Sequence, residues 1–111
     1  MPGTASDTVS WSFLTNHARV LLCIAQDPGV RLREIAASVG ITERAVHRIV
    51  GELVAGGYLS REREGRRNRY SVATELPLPD RLVREQKVGA LLGVLVGAPT
   101  PARRPAAGRR S

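Results

Sequence analysis

The sequence predicts a mainly α-helical fold with one short β-hairpin, followed by a further amphipathic helix. Three observations support this prediction. Apolar residues recur at helical spacing in three segments before Gly57, two short β-prone runs flank Gly65, and an apolar stripe follows Pro77 and Pro79. With 111 residues, the chain has room for one compact domain and a short appended element.

The first predicted helix has a clear start and stop. Asn16 or Thr15 can cap it, and its apolar face recurs until about Gln26. The Asp-Pro-Gly sequence at residues 27–29 is a strong turn signal that ends the helix. Residues 1–10 are mostly small and polar, which predicts a flexible N-terminal segment.

Two further helices joined by a glycine predict a helix-turn-helix unit. Leu32 to Val39 places apolar residues at positions i, i+3, i+4 and i+7. Gly40 supplies the positive φ that the turn needs, and the small Ala36 lets the two helices cross closely. Thr42 caps the third helix, which continues to about Ala55. This third helix has an apolar side for the core and a polar arc opposite.

The net charge of +7 is concentrated in two places. Residues 1–57 contain five arginines and five acidic residues, whereas residues 58–74 contain five arginines and two glutamates. Residues 75–98 are balanced, and the tail that follows adds four arginines. A GC-rich genome would explain arginine in place of lysine, but it would not explain this clustering. Clustered positive charge favours binding to phosphates.

The first of the two basic regions is the predicted hairpin. Its strands are expected over Tyr58 to Glu64 and Asn68 to Val72, joined around Gly65. The expected tip of the hairpin carries Arg63, Arg66, Arg67 and Arg69, a cluster whose charge suits binding to phosphates.

The helix-turn-helix run LREIAASVGITERAVHRIV and the hairpin run GYLSREREGRRNRYSV together resemble winged helix-turn-helix regulators of the MarR and ArsR type. The resemblance covers about Thr15 to Ala73, within a predicted DNA-binding domain over residues 11–74. The longer run from Trp11 is also similar to small regulators from high-GC actinobacteria. The resemblance implies a transcriptional regulator that binds duplex operator DNA as a homodimer.

The resemblance also indicates which residues of the third helix face DNA. They are Thr42, Glu43, Arg44, His47 and Arg48. Among them, Arg44 and Arg48 are the best candidates for a bidentate contact to guanine. The sequence Glu64-Gly65-Arg66 resembles the acid-x-Arg wing motif of MarR-type proteins, with Glu where that motif has Asp. This resemblance implies that the four arginines of the hairpin contact the DNA backbone or the minor groove.

The C-terminal part is predicted to contain a Pro-rich linker over residues 75–80, a helix over residues 81–97 and a disordered basic tail over residues 98–111. An apolar stripe on this helix needs a covering surface. One prediction is a homodimer interface, and the other is packing on the helix's own domain. The stripe consists of Val88, Leu91, Leu92 and Leu95.

Several other classes of function lack a sequence signal. The chain shows no nucleophile paired with a general base and no glycine-rich phosphate loop, so we expect no enzyme and no cofactor. His17 and His47 lack metal-ligand spacing, and the lone Cys23 is typical of a packed residue. No stretch is long enough to span a membrane and no signal segment opens the chain, which predicts a cytoplasmic protein. The sequence identifies no small-molecule effector.

Two alternative functions stay open at this point. A winged-helix module that binds protein would not bind duplex DNA in modest salt. A non-specific architectural or RNA-binding protein would bind nucleic acid without regard to sequence, and its affinity would fall steeply with salt.

Overall fold

The computed structural model describes residues 9–96, and within that range it contains four helices and one hairpin. This arrangement confirms the predicted fold class. The predicted basic tail and most of the predicted flexible N-terminal segment lie outside the described residues. The elements are α1 (Asn16–Gln26), α2 (Leu32–Val39), α3 (Glu43–Ala55), β1 (Leu59–Glu64), β2 (Arg67–Val72) and α4 (Val88–Val96).

Local capping explains where α1 and α3 begin and where α2 ends. The Thr15 hydroxyl accepts a hydrogen bond from the Ala18 amide at 3.1 Å, and the Thr42 hydroxyl accepts one from the Ala45 amide at 3.0 Å. Each bond satisfies an amide that has no partner within its helix. Gly40 ends α2 with φ of 86°, a conformation that a side chain would disfavour. The boundaries predicted for these three helices agree with the structure.

The core lies where α1, α2 and α3 pack against one another and against the base of the hairpin. Aliphatic side chains supply nearly all of the core, because only 4% of the residues in the chain are aromatic. Its buried members are Val20, Leu21, Ile24, Ile35, Ala36, Val39, Val46, Ile49, Val50, Leu53, Leu59, Tyr70, Val88 and Leu92.

The hairpin is antiparallel and is attached to the helical body at its base. Gly65 has φ of 62° in the turn between the strands, and Arg63 pairs with Asn68 on the last rungs before it. The Tyr70 amide donates to the Pro28 carbonyl at 3.0 Å, which joins β2 to the turn after α1. The Tyr70 side chain is itself buried. These contacts fix the base of the hairpin while its tip extends into solvent.

Helix α4 begins at Val88, so the prediction of a helix from residue 81 is wrong. The Val88 amide donates to the Leu76 carbonyl and the Gly89 amide to the Thr74 carbonyl, both at 2.9 Å. These amides are therefore bonded to the segment that follows β2 and not to a preceding helical turn. Residues 79–87 instead form a series of turns that return the chain to this segment.

The predicted linker, residues 75–80, is hydrogen-bonded to other parts of the domain. Pro77 pairs with Lys87 in an antiparallel bridge, and the Leu78 amide donates to the Gln86 carbonyl at 2.9 Å. The Tyr58 hydroxyl donates to the Pro77 carbonyl at 3.1 Å. The segment is thus joined to the base of the hairpin by the Tyr58 hydroxyl, and to the residues just before α4 by main-chain bonds.

The apolar stripe of α4 divides between the core and the surface. Val88 and Leu92 are each only 2% exposed, because α4 packs against α1 of the same chain. The prediction that these two residues contact a partner is therefore corrected. Leu91 is partly buried, Leu95 is 39% exposed and the neighbouring Val94 is 83% exposed.

Candidate nucleic-acid interface

The outer face of α3 is polar and accessible. Its apolar side chains point into the core, so the opposite side of the helix is exposed. All five residues predicted to face DNA are exposed on α3 or at its cap, namely Thr42, Glu43, Arg44, His47 and Arg48. The structure places the Thr42 hydroxyl in the helix cap, and the other four side chains lie at the surface.

A cleft of about 430 Å³ lies between α3, the start of α2 and the hairpin. Glu43 and His47 line it from α3, and Arg66 and Arg67 line it from the hairpin. The opening residues of α2 supply a third wall. Four arginines thus share one cleft with a single glutamate, and they are Arg31, Arg33, Arg66 and Arg67.

The remaining predicted residues lie outside this cleft. Arg44 and Arg48 occupy the exposed face of α3 without lining it. Arg63 and Arg69 are exposed on the two strands of the hairpin, and the Arg63 Nε donates to the Gly65 carbonyl at 3.2 Å. The structure therefore gathers four of the predicted residues into one cleft and distributes the others around it.

Arg67 has a second contact that bears on its role. Its guanidinium donates a hydrogen bond to the Gly29 carbonyl in the turn after α1. A Cβ at Gly29 would lie 3.8 Å from Arg67 Nη2 and 4.0 Å from Arg69 Nη1, so both side chains reach this turn. Arg67 thus joins the hairpin to the helical body as well as lining the cleft.

A hydrogen-bonded network connects α1 to the outer face of α3. The His17 Nε2 lies 2.6 Å from Glu52 Oε1, and Arg48 Nη1 donates to Glu52 Oε2 at 3.2 Å. The hydrogen bond with His17, followed by that with Arg48, lowers the pKa of the Glu52 carboxyl below its ordinary value. Glu52 is therefore ionised at neutral pH and holds one side chain at each oxygen.

A known protein family matches the part of the chain that contains the first three helices and most of the hairpin. The model of the MarR family matches residues 12–69, which is more than half of the chain. The chain belongs to the MarR family. The matched range extends from the segment before α1 through the helix-turn-helix and into β2. The family consists of transcriptional regulators that bind DNA, and not of enzymes.

Among solved structures, the chain is similar to the zinc-dependent MarR family transcriptional regulator AdcR in its Zn(II)-bound state. The two are 22% identical, with a TM-score of 0.44, over 59% of this chain. The match covers 47% of AdcR, so this chain corresponds to about half of that protein. No curated protein sequence shows significant similarity to the chain. The resemblance to ArsR-type and actinobacterial regulators stays a prediction.

Sequence reasoning on this MarR-family chain missed two arginines of the cleft and the residues around Glu52. Arg31 and Arg33 lie in the N-terminal half, where equal numbers of arginines and acidic residues conceal any local excess of charge. Their positions before and within the first turn of α2 are the one available signal. The contact between His17 and Glu52 joins residues 35 positions apart, so no local pattern indicates it.

Two kinds of site are absent from residues 9–96 of this MarR-family chain. No group of three or more His, Cys, Asp or Glu side chains in that range could hold a metal ion. No helix in the described part of the chain is long and apolar enough to cross a membrane.

Cys23 is partly buried beside the core, and burial raises the pKa of its thiol. A raised pKa disfavours the reactive thiolate.

Proposed function

We propose that this MarR-family chain binds a specific sequence of duplex DNA and thereby regulates transcription. In this proposal α3 enters the major groove and the hairpin contacts the backbone or the minor groove. The observation that carries the proposal is the continuity between the exposed face of α3 and the arginine-lined cleft beside it. A groove-binding helix needs a neighbouring surface for the phosphates that flank the groove, and this cleft supplies one.

The exposed face of α3 has the chemistry for reading bases. The major groove admits an α-helix, and an arginine can donate two hydrogen bonds to O6 and N7 of guanine. Arg44 and Arg48 lie on this face one helical turn apart, so they are placed to read different base pairs. His47 offers a further donor or acceptor. Glu43 has the right chemistry to accept from a cytosine amine, and it also complements the helix dipole.

The cleft has the charge for binding the backbone. Arg31 and Arg33 approach it from α2, and Arg66 and Arg67 approach it from the hairpin. Each neutralised phosphate releases condensed counterions. Four arginines that line one cleft therefore give a binding free energy that depends strongly on salt. Arg63 and Arg69 extend the same positive surface along the hairpin. These contacts set the register of the protein on DNA and carry little sequence information.

We further propose that the protein acts as a homodimer through the outer part of α4. After Val88 and Leu92 are buried, Leu91 and Leu95 still present apolar surface, and Val94 adds to it. A two-fold axis through this surface would cover both copies with one self-complementary patch. It would also set two copies of α3 at a fixed separation, which implies an operator with an inverted repeat.

Selection of bound sequences from a random duplex pool tests the proposal, because it measures binding and specificity together. We expect one enriched motif with two-fold symmetry. Arg44→Ala and Arg48→Ala should each relax the preference at one base position and cost about 1–3 kcal/mol of discrimination. Arg84→Ala is the matched control, since Arg84 is exposed but lies on neither α3 nor the hairpin.

The possible outcomes separate the alternatives. Binding to all sequences alike, with a steep dependence on salt, would favour a non-specific architectural protein and contradict the assignment of α3. An absence of binding to duplex DNA in modest salt would contradict the whole proposal and favour a protein-interaction module. If Arg84→Ala alters base preference as much as the two α3 variants do, these variants do not identify a reading helix.

A further inference from the structure

Glu52 is a carboxylate on the side of α3 that also carries the proposed base-reading residue Arg48. It lies one helical turn after Arg48, at the i+4 position, and about half of its side chain is exposed. A carboxylate there repels DNA phosphates, so a protein that only needed positive charge would gain from its absence. Its presence beside Arg48 therefore needs an explanation other than net affinity.

Stability does not supply that explanation. Exposed ion pairs between residues at i and i+4 contribute little to folding, because water and salt screen them. Arg48 and Glu52 are both largely solvated, with side-chain exposures of 61% and 51%. Removing this pair should leave the fold in place, which also makes its variants suitable for binding experiments.

The geometry constrains Glu52 from two sides. His17 on α1 contacts Oε1 at 2.6 Å, and Arg48 contacts Oε2 at 3.2 Å. Without His17, an exposed glutamate would sample several rotamers and hold an arginine only part of the time. The contact from a second helix restricts the carboxylate, and the carboxylate in turn restricts the guanidinium. Nη1 of Arg48 is used in this contact, while the other donors of its planar group stay available.

We propose that Glu52 is a positioning residue that determines sequence specificity by holding Arg48 in the orientation that reads a guanine. A long side chain ordered before binding loses less conformational freedom when it docks. A guanidinium tied to a carboxylate is also less able to turn towards a nearby phosphate when the base is wrong. The proposal rests on the proposed function, since it requires that Arg48 reads a base.

Arg44 and Glu43 provide comparisons within the same helix. Among the ion pairs of residues 9–96, Arg48 takes part in one and Arg44 in none. Glu43 carries the same charge as Glu52 on the same helix, but on the side that lines the cleft and without an arginine partner in that set. Loss of Glu52 should therefore reduce discrimination at the base read by Arg48 and spare the base read by Arg44. Loss of Glu43 should change overall affinity without this selective effect.

The test measures dissociation constants of the full chain for the selected operator and for its single-base variants. For Glu52→Ala we expect discrimination at the Arg48 position to fall about three- to tenfold, within the range of coupling between residues in contact. Binding to random duplex should rise, because a negative charge is lost. Glu52→Gln keeps an acceptor for Arg48 and should restore part of the discrimination. In an Arg48→Ala background, Glu52→Ala should have no further effect at that position.

Failure of this inference can be told from failure of the proposed function. If Arg48→Ala loses discrimination and Glu52→Ala keeps it, the inference is overturned and base reading by Arg48 stands. The inference is also overturned if Glu43→Ala reduces discrimination at the Arg48 position as much as Glu52→Ala does. It is likewise overturned if Glu52→Ala reduces this discrimination as much in the Arg48→Ala background as in the parent chain. If Arg48→Ala changes no base preference, the assigned role of Arg48 fails, and the positioning role of Glu52 fails with it.

Discussion

The outer face of α3 and the C-terminal helix α4 use exposed surface in opposite ways. On α3 the exposed residues are charged, and the helix is fixed by a capped start and four buried aliphatic side chains. On α4 the exposed residues are aliphatic, and the nine-residue helix is held by contacts with α1 and the loop before it. The first surface thus suits a polar ligand, which in the proposed function is the base edges of the major groove. The exposed surface of α4 requires only that another apolar surface covers it.

The same difference affects how substitutions should act in the two regions. A change on the outer face of α3 should remove an interaction with the proposed DNA ligand and leave the core intact. On α4 the outcome depends on which side of one short helix is changed, because Leu92 belongs to the core and Leu95, three residues later, is partly exposed.

The largest expected effect separates those two leucines. Leu92→Glu puts a carboxylate into a buried apolar site, and should cost more than the about 2–5 kcal/mol lost when a buried leucine is truncated to alanine. Leu95→Glu should keep the fold and shift the protein from dimer to monomer, with weaker operator binding. Denaturant unfolding and sedimentation equilibrium at micromolar concentration measure these effects. A parent chain that is monomeric there would contradict the proposed dimer, and a stable Leu92→Glu variant would contradict the packing of α4.

The two regions also differ in how well sequence predicts them. The starts of α1 and α3 and the end of α2 are set by Thr15, Thr42 and Gly40, residues whose effect on the backbone is local. The predicted boundaries of these helices, and the exposed face of α3, therefore agree with the structure.

The start of α4 depends instead on contacts that are distant in sequence. Main-chain bonds to Thr74 and Leu76 determine where the helix begins, and any residue type except proline can donate such bonds. The spacing of apolar residues over residues 81–96 gives no indication of these bonds, so it predicts a longer helix. The contact of His17 with Glu52 was missed for the same reason.

A smaller effect is expected at the tip of the hairpin. Arg66 follows the Gly65 turn, lines the cleft and is exposed. Arg66→Ala should weaken binding to all duplexes alike and lower the slope of log K against log salt by about one phosphate equivalent. Arg84→Ala, which removes the same charge outside the surface, should leave the slope nearly unchanged. Equal slopes for parent and Arg66→Ala would exclude a phosphate contact at this residue.

The smallest effect concerns the ionisation of Glu52 and tests whether α1 supports the outer face of α3. The hydrogen bond with His17 is the largest cause of the lowered pKa of Glu52, and that with Arg48 is a lesser one. We therefore expect His17→Ala to raise this pKa towards its ordinary value of 4.5, and Arg48→Ala to raise it less. Carbon-detected NMR titration of the Glu52 carboxyl measures both shifts.

The sign of the linked effect on stability follows from the direction of the shift in pKa. A carboxyl whose pKa is lowered by folding stabilises the folded chain above its ordinary pKa, and this contribution is lost as the pH falls through the lowered value. Because Glu52 is solvent-exposed, screening keeps the contribution small, so the titration is a more sensitive measure than acid unfolding. An unchanged pKa of Glu52 in His17→Ala would show that α1 does not restrain the carboxylate. The orientation of Arg48 would then depend on α3 alone.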